Sequence, residues 1–297
     1  MIEMPQRVMR FYGKIEYALE CIGFKEITLI HKDKINDPFD PYFYFEPDCN
    51  TYQDIINYIQ QHHEKSLQQF TLILPKENWG SFINGIEEDY FKNLRNSTFI
   101  FSTCEVSEDK HPKDNLYMWS HYGDGHRGVA IEFDTALLTK TVLEDQERLH
   151  GENLEPWFEI NYQDDVPKIT CEHIFQHIMS LANNANEEAL EQTELAKTLR
   201  LVFRTKSMIW KEEKEWRLMK QNKDTKLKIQ RVNLLHNTVT AVYLGLCYNL
   251  IDDRKNDEFV FETRRNFPRA EIFKAGRKKG KFALDFERIA GPDNANT

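Results

Sequence analysis

Residues 116–134 have the sequence LYMWSHYGDGHRGVAIEFD, and this stretch constrains the fold more than any other. Its aromatic and histidine-rich start runs into three closely spaced glycines, Gly123, Gly125 and Gly128. Each glycine would cost about 1 kcal/mol in a helix interior, so together they predict a tight turn that backbone or ligand can approach closely. Apolar and polar residues then alternate over residues 129–133, which predicts a strand.

The side chains beside this turn are the first candidates for binding or chemistry, because loops that enter rigid strands often carry function. Aromatic rings can stack on a ligand, histidines can exchange protons near neutral pH, and a guanidinium can hold a phosphate. A structural interpretation is also open, in which the tryptophan and tyrosine anchor the core and the histidines are solvated. The candidates are Trp119, Ser120, His121, Tyr122, His126 and Arg127.

A second charged motif occupies residues 206–219, with the sequence KSMIWKEEKEWRLM. On a strand, residues i and i+2 project from the same face. Glu213, Glu215 and Arg217 are therefore predicted to share one face, while Trp216 points into the core. Two like charges this close are unfavourable unless a cation or a ligand uses them. A solvated strand face, or a helical turn with i,i+4 ion pairs, is the alternative.

The two motifs can belong to one site or to two unrelated parts of the fold. If they form one site, we expect a ring at positions 119–122 to lie within roughly 10 Å of Glu213 or Glu215, around a pocket of ~300–1,000 Å³. A fold that places the motifs on opposite faces would remove the basis for shared chemistry.

The charge balance limits the classes of partner. The 297 residues include 39 basic and 48 acidic ones, for a formal net charge of −9. This balance excludes a generic polyanion binder but allows a local basic patch. Residues 264–281 form such a patch, with eight basic residues and one acid, Glu271. It is interpreted as a solvated hairpin turn or, alternatively, as a nucleic-acid or phosphate contact through Arg277, Lys278 and Lys279.

Cysteine usage and hydropathy predict a cytoplasmic protein. The five cysteines are widely spaced and form no Cys-x-x-Cys pair, which favours a reducing compartment. The start of the chain lacks the apolar core of a signal peptide, and no apolar run approaches the ~18 residues of a membrane span. Cys171, His173 and His177 have metal-ligand spacing, but no fourth ligand is evident, so no metal is predicted.

The pattern of elements predicts an α+β fold with a mixed, largely antiparallel sheet. We expect a single domain over residues 1–290 with a helical insertion at about 171–205, and a disordered tail at 291–297. Helices are predicted at 14–22, 54–70 and 79–94. Strands are predicted at 8–12, 26–31, 98–102, 129–133, 227–232, 239–244, 259–261, 272–274 and 282–286.

Several of these motifs, taken in order, resemble the bacterial domain-of-unknown-function 2971 family. They are Asn-Asp-Pro-Phe-Asp at 36–40, Met-Trp-Ser-His-Tyr at 118–122 followed by Gly128, and the tryptophan and Glu-Lys-Glu-Trp-Arg within 210–217. The basic-Tyr dipeptide usual near the start of the family is here Arg-Phe-Tyr at 10–12. The resemblance spans nearly the whole chain and implies a fold neighbourhood, because the family has no established activity.

A more distant similarity to ADP-ribosyltransferase-like folds implies a chemistry. Those folds place a basic residue early, an aromatic or serine element in the middle and a glutamate late. Here these positions are matched by Arg10, by Ser102-Thr103 or Tyr122, and by Glu213 and Glu215. A fixed carboxylate would stabilise the oxocarbenium character that develops when the nicotinamide–ribose bond is cleaved.

The leading functional hypothesis is a cytoplasmic bacterial effector, toxin-like or acting in antiphage defence. It would use NAD as the substrate for ADP-ribosyl transfer or hydrolysis, with an unidentified macromolecular acceptor or partner protein. Glu215 would be the catalytic carboxylate, Glu213 its partner and Tyr122 the stacking wall, while Arg10 would anchor the diphosphate. The other substrate-binding candidates are Trp119, Ser120, His121, His126, Arg127, Asn36 and Asp37.

Two alternatives belong to different classes. The first is a nucleic-acid-binding protein or metal-independent nuclease, in which His121, His126 and Arg127 act and residues 264–281 follow the phosphates. The second is a small-molecule sensor without turnover.

Overall fold

The computed structural model describes residues 4–31, 34–35, 37, 39–109, 111–148, 154–186, 189–190, 192–222, 227–248 and 253–291. Contacts group the chain into two compact units. The first unit comprises Met1–His31, Thr98–Glu159 and Glu212–Thr297, and the second comprises Lys32–Ser97 and Ile160–Lys211. The expected single domain over residues 1–290 stays a prediction.

Strands and helices are interspersed along the described parts of the chain. The strands are β1 (Arg7–Tyr12), β2 (Glu26–His31), β3 (Tyr44–Phe45), β4 (Thr98–Glu105), β5 (Val129–Asp134), β6 (Leu154–Glu159), β7 (Asn161–Gln163), β8 (Lys168–Ile169), β9 (Thr205–Ser207), β10 (Glu215–Gln221), β11 (Ile229–Asn233), β12 (Val239–Leu244), β13 (Glu271–Arg277) and β14 (Leu284–Ala290). The helices are α1 (Ile15–Phe24), α2 (Tyr52–His62), α3 (Leu67–Ile73), α4 (Trp79–Asn84), α5 (Lys92–Ser97), α6 (Leu116–His121), α7 (Thr135–Arg148), α8 (Cys171–Ala182), α9 (Glu194–Leu201) and α10 (Asp253–Asn266).

The first unit is built on a ten-stranded sheet in the order β11-β2-β4-β1-β5-β12-β13-β14, with β10 pairing along β4 and β6 along β10. Within this sheet β12 and β13 are parallel, and the other pairs of described strands are antiparallel. The predicted α+β class, with a mixed and largely antiparallel sheet, is confirmed.

The two faces of this sheet differ in what covers them. One face is apolar and packs against α1, α7 and α10, and it includes Trp216 as predicted. The other face lies beneath α6, whose Met118 and Trp119 pack on Met9 and Cys104. Side chains alternate along a strand. Trp216 therefore points to the apolar face, and Met9 points to the face beneath α6. The neighbours of each residue along its strand point to the opposite face.

The face beneath α6 also carries buried charges. The register pairs Cys104 with Glu215 on one side and with Met9 on the other, and Met9 with Glu132 in turn. Directly paired residues of antiparallel strands point to the same face, so Glu132 and Glu215 both lie beneath the α6 layer. Both glutamates are buried.

The second unit contains the helical segment predicted at 171–205. It consists of α8 and α9, and the chain turns out of α8 at Asn183 and Asn184, which has a positive φ of 53°. Thr51 begins α2 with a capping box, in which its side chain and that of Asp54 exchange hydrogen bonds with the backbone. The short strands of this unit pair in parallel, β3 with β8 and β7 with β9.

Two predicted elements were wrong. Residues 259–261 lie in α10 rather than in a strand, and Phe259 and Thr263, which are four residues apart, are buried. A three-residue apolar run cannot distinguish a strand from a buried helix face. Glu213 does not lie on a strand, because it ends a 3₁₀ helix and the next residue, Lys214, has a positive φ of 44°.

None of the described helices is both long and apolar enough to span a membrane.

Candidate functional site

The glycine-rich turn after α6 is held by close backbone approach. A Cβ at Gly123 would lie 2.7 Å from the indole Cε3 of Trp119, and one at Gly128 would lie 2.1 Å from the carbonyl oxygen of Tyr12. Gly125 has a positive φ of 58°. The turn therefore depends on glycine for two close contacts and for one backbone conformation that disfavours other residues.

Asn115 begins α6 and connects the turn to the second motif. Its Oδ1 accepts hydrogen bonds from the backbone N–H groups of Tyr117 at 3.0 Å and Met118 at 3.4 Å. Its Nδ2 donates to the carbonyl oxygen of Glu212 at 3.1 Å. A single amide side chain thus caps α6 and holds it against the residues that precede β10.

Tyr122 and Glu213 make the central contact between the two motifs. The phenolic hydroxyl of Tyr122 donates to Oε1 of Glu213 at 2.5 Å, and Glu213 is only 4% exposed. Tyr122 therefore lies within the roughly 10 Å of Glu213 that is expected if the two motifs form one site. A hydrogen bond to a buried carboxylate is charge-assisted, so it fixes the orientation of both groups.

A pocket of about 320 Å³ opens beside this contact. Five of its lining residues are acidic, whereas Lys214 and His111 are its basic ones. The acidic excess gives the pocket a negative potential that attracts cations and repels anions. The lining residues are Glu105, Asp109, His111, Pro112, Asp114, Asn115, Met118, Glu212, Glu213 and Lys214.

The pocket wall rests on a buried carboxylate, Glu132, that the sequence analysis did not single out. Its Oε1 accepts hydrogen bonds from Nη1 of Arg7 at 2.8 Å and from Oγ1 of Thr240 at 2.9 Å. Its Oε2 accepts one from the hydroxyl of Tyr243 at 3.1 Å and pairs with Nε2 of His111 at 3.2 Å. Burial alone would raise the pKa of Glu132, but these bonds and the charge of Arg7 lower it to about 2.

His111 is oriented at both ring nitrogens. Its Nδ1 accepts the backbone N–H of Lys113 at 3.2 Å, which assigns the proton to Nε2, the nitrogen that donates to Glu132. The imidazole therefore lines the pocket with a fixed tautomer, and its polar atoms support the wall rather than a proton transfer.

Glu215 has a different environment from Glu213. Nε of Arg217 donates to Oε1 of Glu215 at 2.7 Å, and Nη2 donates to Oε2 at 3.1 Å. Both side chains are buried, and neither lines the described pocket. The two charges neutralise each other in a bidentate pair.

Arg10 lies on the opposite face of the sheet from Glu215. It follows Met9 on β1, so its side chain points to the face of Trp216. Its Nη1 donates to the carbonyl oxygen of Ser102 at 2.8 Å, and its guanidinium lies 4.7 Å from the ring centroid of Phe101. The structure does not bring Arg10 and Glu215 into one site.

The other candidates around the turn are spread between core and surface. Trp119 is fully buried, and its Nε1 donates to the carbonyl oxygen of Lys113 at 2.7 Å, so it serves the core. Ser120 and His121 are exposed, and Arg127 is an exposed neighbour of Asp124.

His126 is half-buried and stacks on Trp119, with ring centroids 6.1 Å apart. Its Nδ1 has no hydrogen-bond partner among the described residues. Burial lowers the pKa of His126, so the neutral form is favoured at physiological pH.

The remaining candidates lie elsewhere. Asn36 is outside the described residues. Asp37 lies in the second unit and accepts the backbone N–H of Phe39 on Oδ1 at 2.9 Å. Arg277, Lys278 and Lys279 are exposed at the turn between β13 and β14. In the described parts of the chain, no group of three or more His, Cys, Asp or Glu side chains is arranged to hold a metal ion.

The fold and site together define an α+β protein with an acid-lined pocket bordered by the start of α6 and by the residues that precede β10. Residues 118–218 match the family described as "Protein of unknown function (DUF2971)", which confirms the predicted resemblance over this stretch. The match begins in α6 and ends in β10, so it contains both Tyr122 and Glu213. No curated protein and no solved structure matches the chain.

Proposed function

We propose that the pocket beside Tyr122 and Glu213 binds a small organic cation. The observation that carries this proposal is the 2.5 Å contact between the two side chains at the edge of a pocket with an acidic majority. A buried carboxylate that is already oriented can receive a cation without reorganising. The protein would act as a small-molecule receptor, the third class considered from the sequence.

The charge of the lining selects the ligand class. The pocket volume of about 320 Å³ lies at the lower end of the range for small-molecule sites. Phosphate groups would meet carboxylates on most sides and a single amine, that of Lys214. Amines, guanidines and quaternary ammonium groups fit this potential, and the thioether of Met118 adds polarizable surface to the lining.

A second candidate is cleavage of an N-glycosidic bond to a cationic base, as in the NAD-using effector predicted from the sequence. It is favoured by one observation, which is that an aromatic hydroxyl and a buried carboxylate meet at a pocket. In this proposal Glu213 takes the role expected of Glu215, because Glu213 lines the pocket whereas Glu215 does not. The carboxylate would stabilise positive charge developing on the ribose.

Binding measurements with defined probes test both proposals. Choline, agmatine, nicotinamide riboside and NAD are titrated into the parent protein and into Glu213→Gln by calorimetry. Glu108→Gln is the matched control, because Glu108 is exposed and does not line the pocket. We expect a cationic probe to bind the parent and the control, and to bind Glu213→Gln about tenfold more weakly, which is about 1.4 kcal/mol.

Binding of none of the probes, or equal binding by Glu213→Gln, would overturn the receptor proposal. Nicotinamide release from NAD or from the riboside separates the second candidate. Turnover in the parent that falls roughly 10²-fold in Glu213→Gln supports catalysis, whereas binding without release supports a receptor.

A further inference from the structure

The turn between β13 and β14 is an ordered, basic hairpin tip, defined as residues 277–282. The strands stay in register up to the pair Arg277–Leu284. Beyond that pair, the N–H of Lys278 donates to the carbonyl oxygen of Ala283 at 3.0 Å, and the N–H of Lys281 donates to that of Lys278 at 3.2 Å. The backbone of the tip is therefore fixed by its own hydrogen bonds.

The side chains of the tip project into solvent. Arg277, Lys278, Lys279 and Lys281 are exposed, and no ion pair involves them among the described residues. Phe282 is 104% exposed, and it precedes β14 rather than lying in the strand predicted at 282–286. The ring leaves its apolar surface in water beside four cations, so a partner that covered the ring would gain the free energy of removing that surface from water.

We propose that the hairpin tip binds single-stranded nucleic acid, with its cations on the phosphates and Phe282 stacked on an unpaired base. A positive groove or edge combined with an exposed aromatic ring is the usual composition of surfaces that hold single strands without sequence preference. The proposal concerns a surface different from the pocket, and it does not depend on what the pocket binds.

Charge complementarity favours single-stranded nucleic acid over an anionic membrane as the partner of the hairpin tip. An anionic bilayer is an extended negative plane, and it would face much of a chain whose net charge is −9. A flexible single strand of nucleic acid can contact the hairpin tip without facing the rest of the protein surface. The tip also presents one ring, whereas stable membrane attachment generally needs a larger apolar insertion together with the basic residues.

Fluorescence anisotropy with the full chain tests the proposal. The probe is fluorescein-labelled oligothymidine of about 15 nucleotides, long enough for a typical single-strand site, titrated over a series of salt concentrations. The variants are Lys278→Ala/Lys279→Ala and Phe282→Ala. Matched controls are Lys65→Ala/Lys76→Ala, which removes two exposed lysines of the second unit, and Phe261→Ala, which removes a 61% exposed ring.

The two tip variants should change oligonucleotide binding in different ways. Removing two phosphate contacts lowers the slope of log K against log salt by about 1.4 and weakens binding about tenfold or more at low salt. Phe282→Ala weakens binding about tenfold with an unchanged slope, because stacking releases no counterions. Both controls keep the affinity of the parent.

Absence of oligonucleotide binding by the parent at low salt would overturn the proposal, and so would an affinity in both tip variants equal to that of the parent. Vesicles of equal parts phosphatidylserine and phosphatidylcholine provide a second arm. Cosedimentation that needs Phe282, without oligonucleotide binding, would assign the tip to a membrane surface instead. Circular dichroism of each variant confirms that a lost affinity is not a lost fold.

Discussion

Replacing Glu132 by Gln is the sharpest test of what holds the pocket wall in place. The side chain of Glu132 has no exposed surface and accepts hydrogen bonds from Arg7, Thr240, Tyr243 and His111. The amide of Gln offers one acceptor oxygen and turns two donor hydrogens toward the remaining donors. The variant therefore loses its charge and also part of its hydrogen-bond network.

The magnitude follows from the pKa of the carboxyl. The environment lowers the pKa of Glu132 from 4.5 to about 2, and one pKa unit is roughly 1.4 kcal/mol of differential interaction. The ionised carboxylate thus contributes about 3 kcal/mol to the free energy of unfolding at neutral pH. We expect Glu132→Gln to be destabilised by about this amount.

The same pKa fixes the pH dependence. Because the pKa is lower in the folded protein, the contribution is fully present above about pH 4.5 and is lost as the pH falls toward 2. The difference in stability between parent and Glu132→Gln should therefore be constant from pH 7 to about pH 5 and shrink below that. Urea unfolding followed by tryptophan fluorescence at several pH values measures it.

Glu287→Gln is the matched control, because Glu287 is exposed on β14. Its free energy of unfolding should stay within about 0.5 kcal/mol of the parent. A Glu132→Gln protein within the same margin, or a stability difference that does not change with pH, would refute the assignment of Glu132 as the ionised centre of the wall.

Two further predictions concern the scaffold and are measured by the same urea unfolding. Glu215→Gln removes the carboxylate that pairs with both Nε and Nη2 of the buried Arg217 and should destabilise the fold by about 3–5 kcal/mol, and adding Arg217→Met should restore part of the loss; a fully stable single variant would contradict the buried pair. Gly128→Ala drives a Cβ to 2.1 Å from the carbonyl of Tyr12 and should cost about 3 kcal/mol or more. Gly276→Ala, whose Cβ would meet its nearest atom at 3.8 Å, should cost less than about 1 kcal/mol, and equal losses in both alanine variants would contradict the close-approach argument.

The glycine turn was predictable because it depends on local chemistry. Gly123 and Gly128 are needed where backbones approach, and that need is visible as closely spaced glycines in sequence. The separation of Glu213 from Glu215 was not predictable. It depends on the positive φ of Lys214, which turns the chain before β10 begins. No neighbouring glycine or proline in the sequence indicates this turn.

Glu132 shows a different limit of sequence-based prediction. It occupies a position in the alternating strand VAIEFD, where a polar residue is expected to face water. Here that second face is covered by α6, so the carboxylate is buried. Its partners come from β1, β12 and the segment before α6, and pairing of this kind depends on the order of strands in the sheet rather than on any local pattern.

A group of aromatic rings connects the wall of the acidic pocket to the strands that carry the basic hairpin tip. The ring of Tyr243, whose hydroxyl donates to Glu132, stacks on Phe273 of β13 with centroids 5.1 Å apart and meets Phe286 of β14 edge-on. The ammonium of Lys113 lies over two of these rings, Tyr243 and Phe286. This group of rings connects Glu132, which supports the pocket wall, with the two strands that carry the hairpin tip. The proposed cation pocket and the proposed nucleic-acid-binding tip are therefore linked through residues of one sheet.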